Sequence, residues 1–432
     1  MLLYTQLTAI SQANYTPPIQ LWRDTTTLDT SSNKNWKLAT RAVHTGERPA
    51  RPEFTPVVTP IYLGSAYLYD DLEVMDSALG GAEGRYVYTR YGNPTTTALE
   101  TALANLEGTA SAIVFSSGMA AVHAAIVTSV SQGDCILASQ ELYGQTYSSL
   151  AGHFSDWGCN VETVNVLDLG AVREAVNRLK PALIVCETIS NPLMRVTDVP
   201  AIVEIAKTAR ATVMVDATFA PPVIYRPADD GAHLVVHSMT KYIGGHGDVT
   251  GGVVATSRMR RDKLNEYAKL AGSILGPFES FLALRGLKTL PLRYQRQCEN
   301  AMLVANALSQ HSEVAKVNYP GLSNHISHAT ATRLFEGRGF GAMISFDIRD
   351  AGQEQVYAFL EALELVVPAT TLGDIYTLSL YPVMSSHRSL TSEQRQAIGI
   401  GDGLVRLSVG IEDADDIIAD LDNALKAAAR TR

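Results

Sequence analysis

From Ser111 to Thr256 the sequence repeats one device: a short apolar run, a turn, then a stretch with helical spacing. "SAIVF", "CILAS", "VETVNV", "LIVCE", "TVMVD", "LVVHS" and "GGVVATS" have the length and composition of strands. "GMAAVHAAIVTSV", "DLGAVREAVNRL" and "VPAIVEIAKTAR" lie among them and read as helices, the second opening on an aspartate placed to cap it. A chain built this way has few options. Strands joined through helices run parallel, and their apolar runs must be covered on both faces. The fold class predicted is therefore α/β, with a mostly parallel sheet in the large domain. A ligand of such a sheet sits beyond the carboxyl ends of its strands.

Past about Pro277 the pattern changes. "FLALRGLKTLPLRYQRQCENAMLVANALSQ" reads as a long helix bent at Pro291. Strand-like "AMISFDI", helical "GQEQVYAFLEAL", strand-like "LVRLSVG" and a last helix with acids first and bases last follow it. The expected layout is a flexible extension over residues 1–36, an N-terminal arm over 37–94, a ligand-binding large domain over 95–277 and a smaller α+β domain over 278–432. A length of 432 residues accommodates these units.

Composition narrows the function. A formal charge of −9 argues against nucleic acid as a partner, because phosphate backbones require a basic surface. No apolar run approaches the roughly 20 residues that span a bilayer, and the N-terminus lacks the pattern of a secretory signal. The four cysteines, Cys135, Cys159, Cys186 and Cys298, show no CxxC spacing, and three lie in or beside apolar runs. They read as buried free thiols in a reducing, cytoplasmic setting.

One segment stands out within this frame: "VVHSMTKYIGGHGDVTGGVV", residues 235–254. A single lysine, Lys241, separates an apolar strand from a glycine-rich loop, which suggests backbone held close to something. A lysine whose pKa is lowered by its surroundings forms a Schiff base with an aldehyde cofactor such as pyridoxal phosphate. That cofactor requires a carboxylate for its ring nitrogen, donors for its phosphate and a face to stack on. Asp216 closes the strand "TVMVD". "SSGMAA" joins a strand to a helix, whose first N–H groups suit a phosphate. Ser238 and Thr240 add hydroxyls, and Tyr143 in "ELYGQTY" offers a ring. Each residue has an ordinary alternative as a turn, a cap or solvated surface, so the combination carries the case. His237 and His246, and His325 and His328, lack the acidic or thiol neighbours of a zinc site and read as core or surface histidines.

The order of "YTRYGNPTTTALE", "SSGMAA", "LYGQTY", "ETISNP", "HSMTKYIGGHGDVTGG", "LRGLKTL" and "RLSVGIED" resembles the pyridoxal-phosphate-dependent enzymes of Cys/Met metabolism. These include cystathionine γ-synthases, cystathionine lyases and methionine γ-lyases. The resemblance runs from about Ala39 to the C-terminus. It implies a fold type I, aspartate-aminotransferase-like architecture and a homotetramer of catalytic dimers acting on a small amino acid. It implies that Lys241 is the Schiff-base lysine, Asp216 the pyridinium partner, and Gly118, Met119, Ser238 and Thr240 phosphate binders. Tyr88 and Arg90 would serve a neighbouring subunit's phosphate. Tyr143 would stack on the ring and act in proton transfer, with Asn191 near the phenolic oxygen. Arg406 would clamp the substrate carboxylate, with Thr377 at the family's serine beside it. Three positions depart from the pattern: Ala217 replaces an asparagine, Gln145 a small residue, and Tyr376 the acid of cystathionine-handling members. The activity implied is γ-elimination from an amino acid with a leaving group at Cγ; γ-replacement is the alternative, and a non-catalytic cofactor-binding protein a more distant one.

Overall fold

Each of the seven apolar runs folds as a strand, and together they form one sheet: β1 (Ser111–Phe115), β2 (Cys135–Ser139), β3 (Asn160–Val164), β4 (Leu183–Glu187), β5 (Thr212–Asp216), β6 (Leu234–Ser238) and β7 (Gly252–Thr256). The computed structural model describes residues 36–46, 56–82, 84–385, 388, 391–397 and 399–432. The expectation of a flexible extension therefore falls almost wholly outside the described residues.

The sheet order is β1-β7-β6-β5-β4-β2-β3. Strands β3, β2, β4, β5 and β6 are parallel, whereas β7 runs antiparallel to both of its neighbours. An antiparallel return needs no crossover helix, so the segment from Met239 to Gly251 is left as a loop. Lys241 lies in that loop. The alternation of side chains shows in β5, where Val213 and Val215 join one core cluster and Met214 the other. The helix Gly118–Val127 covers the Met214 face, and the helix Pro94–Glu107 packs in the cluster of the opposite face. Asp168 caps the helix Leu169–Leu179 as its sequence suggested, accepting from the N–H groups of Gly170 and Ala171.

The bent helix expected at Pro291 is instead two helices, Pro277–Leu287 and Leu290–Gln310. Proline lacks the N–H an interior helical turn needs, and Pro291 instead occupies the first turn of the second helix. That helix spans both halves of the fold. Leu290, Tyr294 and Cys298 pack in the large-sheet core, and Ala301, Val304, Ala305 and Leu308 in a second one. The second core lines a five-stranded sheet of order β10-β11-β12-β9-β8. Its strands are β8 (Val314–Asn318), β9 (Met343–Ile348), β10 (Val367–Pro368), β11 (Leu378–Leu380) and β12 (Leu404–Ser408). The helices Gln353–Glu361 and Ala414–Ala429 pack on it. Among the described residues, no helix is long and apolar enough to cross a membrane.

Candidate active site

Strands β5 and β6 end side by side at Asp216 and Ser238, and the loop after β6 winds immediately into a turn. The Lys241 N–H donates to the Ser238 carbonyl at 3.2 Å, and the Gly245 N–H to the Lys241 carbonyl at 2.8 Å. Arg293 fastens the turn from below, donating to the Tyr242 carbonyl at 3.0 Å and the Gly286 carbonyl at 2.8 Å. The Lys241 side chain is largely withdrawn from water, and its Nζ donates to Thr371 Oγ1 at 2.8 Å. Burial, and then the charge of Arg406, lower its pKa to about 8.

Thr371 reaches the lysine because its segment lies directly on the lysine's backbone. Gly373 has φ +79°, and a Cβ there would stand 2.7 Å from the Tyr242 nitrogen and 3.1 Å from Lys241 Cα. Glycine alone fits both the conformation and the approach. Its N–H donates to Ser408 Oγ at 2.7 Å, which ties the segment to β12. Arg406, two residues earlier on β12, is buried. One of its terminal nitrogens donates to Asn191 Oδ1 at 3.1 Å and the other to the Thr371 carbonyl at 3.4 Å. Its Nε is buried without a partner. Burial lowers the guanidinium to about 10, and Tyr242 and Tyr143 act in the opposite direction.

Asp216 is the acid of this group. Burial raises its pKa, opposed by hydrogen bonds from Thr218, whose N–H lies 2.9 Å from Oδ1, and by His237. Thr218 also links the two strand ends, because its hydroxyl accepts the Ser238 N–H at 2.9 Å. The helix Gly118–Val127 starts against the same point. A Cβ on Gly118 would lie 2.9 Å from Ser238 Cβ, so the first helical N–H groups and Ser238 share one corner, with Met119 half-buried beside it. Thr240 lies in the same loop, where its hydroxyl accepts the Gly251 N–H at 3.1 Å and keeps its own O–H to donate. Tyr143 is 42% exposed, and its backbone N–H donates to Glu187 Oε1 at 2.5 Å.

Thr377 is fully buried, with its hydroxyl on Glu412 Oε2 at 2.8 Å. The hydroxyl on the lysine belongs to Thr371, whose carbonyl accepts from Arg406. Tyr376 points outward and is 55% exposed, Gln145 is exposed, and Ala217 is fully buried. Arg90 donates to the Lys269 carbonyl at 2.7 Å and lies against the rings of Tyr88 and Tyr91. Sequence reasoning passed over Thr371 and Glu187. A glycine two residues after Thr371 and an acid at the end of a fully apolar strand were the only signals available. His237 is engaged with Glu107 at 2.6 Å across the core.

The charges in this group do not balance. Among the described residues Lys241 and Arg406 form no salt bridge, and Asp216 has no lysine or arginine partner. Buried charges are normally paired, so the arrangement suits a ligand that brings both signs. Pyridoxal phosphate fits: its ring cation would face Asp216, its phosphate the corner at Gly118 and Ser238, and its aldehyde the amine of Lys241. An amino acid's carboxylate would satisfy Arg406, including the idle Nε.

Comparison with known proteins agrees. The profile of the family described as Cys/Met metabolism PLP-dependent enzyme matches residues 39–426. An L-methionine gamma-lyase of Fusobacterium nucleatum subsp. polymorphum is 38% identical over 396 residues, covering 91% of this chain and 99% of that protein. A cystathionine gamma-synthase of Mycobacterium tuberculosis is 41% identical over 390 residues, covering 90% of this chain and 96% of the relative. Among solved structures, cystathionine gamma synthase from Xanthomonas oryzae pv. oryzae in complex with cystathionine superposes with a TM-score of 0.86. It is 37% identical and covers 92% of this chain and 100% of its own.

Proposed function

This chain belongs to the Cys/Met metabolism PLP-dependent enzymes, and on that premise we propose that it catalyses γ-elimination from an L-amino acid with a leaving group at Cγ. The products are a 2-oxo acid, ammonia and the released γ-group. The observation that carries the reading is that Lys241 and Arg406, joined through Thr371, and the acid Asp216 have no salt-bridge partners among the described residues.

Each residue has work suited to its surroundings. Arg406 grips the substrate carboxylate, its fork matching a planar anion. Lys241 at about 8 is neutral often enough near pH 7 to 8 to take the α-proton. Pyridoxal phosphate held at this site would supply an electron-withdrawing ring for the charge developed at Cα. Asp216 keeps a proton on the ring nitrogen. Tyr143, close enough to Arg406 to interact electrostatically with it, is the carrier of a proton to the departing γ-group.

The substrate's far end argues against cystathionine as the substrate. Tyr376 stands where cystathionine-handling relatives present an acid, and neither flanking carboxylate substitutes for it. Asp374 accepts the Ile375 N–H at 2.7 Å, and Glu412 is held by the Thr377 N–H at 2.6 Å. With no acid at position 376, a substrate without a distal ammonium, such as methionine or homocysteine, is favoured over cystathionine. γ-Replacement on an O-acylhomoserine would use the same residues, and the 41% identity to a cystathionine gamma-synthase favours it as the second reading. The test offers methionine, homocysteine, cystathionine, canavanine and O-acetylhomoserine to the holoenzyme and measures 2-oxobutanoate and the released group. Consumption of O-acylhomoserine only, and only with an added nucleophile, overturns the elimination reading.

The same proposal includes assembly and location. The arm displays Leu63, Leu68, Leu72 and Leu79 at 59–100% exposure, apolar area that a second copy would cover. A tetramer of catalytic dimers, with Tyr88 and Arg90 serving a neighbour's phosphate, accounts for it. Four free cysteines, three of them buried, suit the cytoplasm.

A further inference from the structure

We propose that Glu187 is a positioning residue of this site: a neutral carboxyl group beside Asp216 that anchors Tyr143 and leaves Asp216 the sole anion of the pair. Strand β4 is apolar and fully buried up to this residue, "LIVCE", so an acid at its end has no ordinary surface role. Glu187 pairs in register with Asp216 of β5. Val185 and Met214, two residues earlier on these strands, lie in the same core cluster, so both carboxyl groups project from that face. Two acids one strand spacing apart, both out of water, do not remain ionised together.

The surroundings decide which one keeps the charge. Asp216 has the N–H of Thr218 at 2.9 Å, with His237 nearby. Glu187 likewise has two donors, the backbone N–H groups of Tyr143 and Asn191, matching the N–H and hydroxyl of Thr218 on Asp216, but it has no cation to set against His237, and Glu141 adds a further negative charge. Arg195, the nearest cation to Glu141, is already bonded to that acid. Cys186 is the adjoining titratable group on β4 and is itself pushed up to about 12 by burial. Burial, then Asp216, push Glu187 well above the carboxylate range. The negative charge belongs to Asp216 and the proton to Glu187.

A neutral carboxyl group still presents a carbonyl oxygen, and that oxygen takes the Tyr143 N–H. This contact matters because the half-exposed Tyr143 ring has no side-chain hydrogen bond in the described structure. The ring is therefore placed by its backbone, and Glu187 holds that backbone. The anchoring role rests on the function proposed above, whereas the protonation state of Glu187 does not.

The experiment uses full-length holoenzyme and the variants Glu187→Gln and Glu187→Ala. Infrared difference spectra at neutral pH, wild type minus Glu187→Gln, are expected to show the carbonyl stretch of a protonated carboxylic acid. A carboxylate band in its place overturns the assignment, and this readout needs no cofactor. In steady-state kinetics Glu187→Ala is expected to lower kcat at least ~10-fold, as small misplacements of a reacting group do, with KM little changed because Arg406 still holds the substrate. Glu187→Gln, which keeps the acceptor without a charge, is expected to restore most of kcat. If Gln is as damaging as Ala, the positioning role is wrong. Should the alanine variant fail to fold, the infrared comparison and the kcat of Glu187→Gln still decide. Failure of the functional premise would appear separately, as borohydride trapping of cofactor at an amine other than Lys241.

Discussion

Replacing Gly373 with alanine tests how the lysine is prepared for chemistry. The residue sits at φ +79°, where a side chain costs roughly 1–2 kcal/mol. Its new Cβ would stand 2.7, 3.0 and 3.1 Å from the Tyr242 nitrogen, the Lys241 carbonyl carbon and Lys241 Cα. These are backbone atoms and cannot swing aside, so the segment must lift. Lifting stretches the Gly373–Ser408 hydrogen bond, a further loss of about 1 kcal/mol. Gly373→Ala should therefore destabilise the protein by about 2–3 kcal/mol, read from urea unfolding. It should also draw Thr371 off Lys241. Thr371 Oγ1 accepts from the ammonium form, so losing it should move the lysine pKa further down. The assay follows labelling of Lys241 in apoprotein by an amine-reactive reagent across pH, with peptide mapping to locate the label. Thr371→Val should reproduce the pKa shift with less loss of stability, and the double variant should shift it no further than Gly373→Ala alone. Additive shifts, or an unchanged unfolding midpoint in Gly373→Ala, would refute this account of the loop.

Arg406→Lys keeps the charge but loses the fork, and should raise KM for the amino-acid substrate roughly 10- to 100-fold while kcat falls less; steady-state kinetics checks it. Arg90→Ala should weaken cofactor retention, and mixing it with inactive Lys241→Ala should recover activity in hybrid dimers; well-mixed hybrids without recovery count against a shared site. The lysine also predicts a pH trend in apoprotein stability. Because its folded pKa of about 8 lies below its ordinary 10.5, the unfolded chain binds the extra proton between these values. Stability should rise with pH across that window by at most about 3 kcal/mol, and the difference between wild type and Lys241→Met in urea unfolding isolates the slope. Tyr376→Glu should raise turnover of cystathionine relative to methionine, measured as the ratio of the two kcat/KM values.

The large domain was legible because its strands are short, apolar and set between turns. All seven apolar runs became strands, the third displaced by about one residue at its start. The reversal of β7 was not legible, since a strand's own composition does not encode the direction of its neighbour. The small domain was read less completely. Strand β8 forms the sheet's edge and keeps Ala315 and Lys316 exposed, so its sequence lacks a continuous apolar run. Strand β10 covers only Val367–Pro368, which is too short for any periodicity to register.

At the site, what sequence could identify was each residue beside a local landmark: Lys241 before its glycines, Asp216 at a strand end, Arg406 within an apolar strand. Thr371 and Thr377 show where that approach stops. They lie six positions apart in one polar segment, and nothing local separates a hydroxyl on Lys241 from one on Glu412. The difference arises because Gly373 presses on the lysine's backbone, whereas Thr377 leads straight into β11 with its side chain turned inward. The same reasoning applies to charge. Lys241 departs from ordinary lysine behaviour because burial removes its water, Arg406 adds a like charge and, among the described residues, no carboxylate forms a salt bridge with either cation. Those three conditions come from segments more than a hundred residues apart in the chain. A lysine in the same local sequence but paired with a carboxylate would keep its proton near neutral pH and take none from Cα. The reactive amine is thus created by what the fold withholds from it, while Thr371, held against the lysine through Gly373, gives the amine the acceptor that fixes its place.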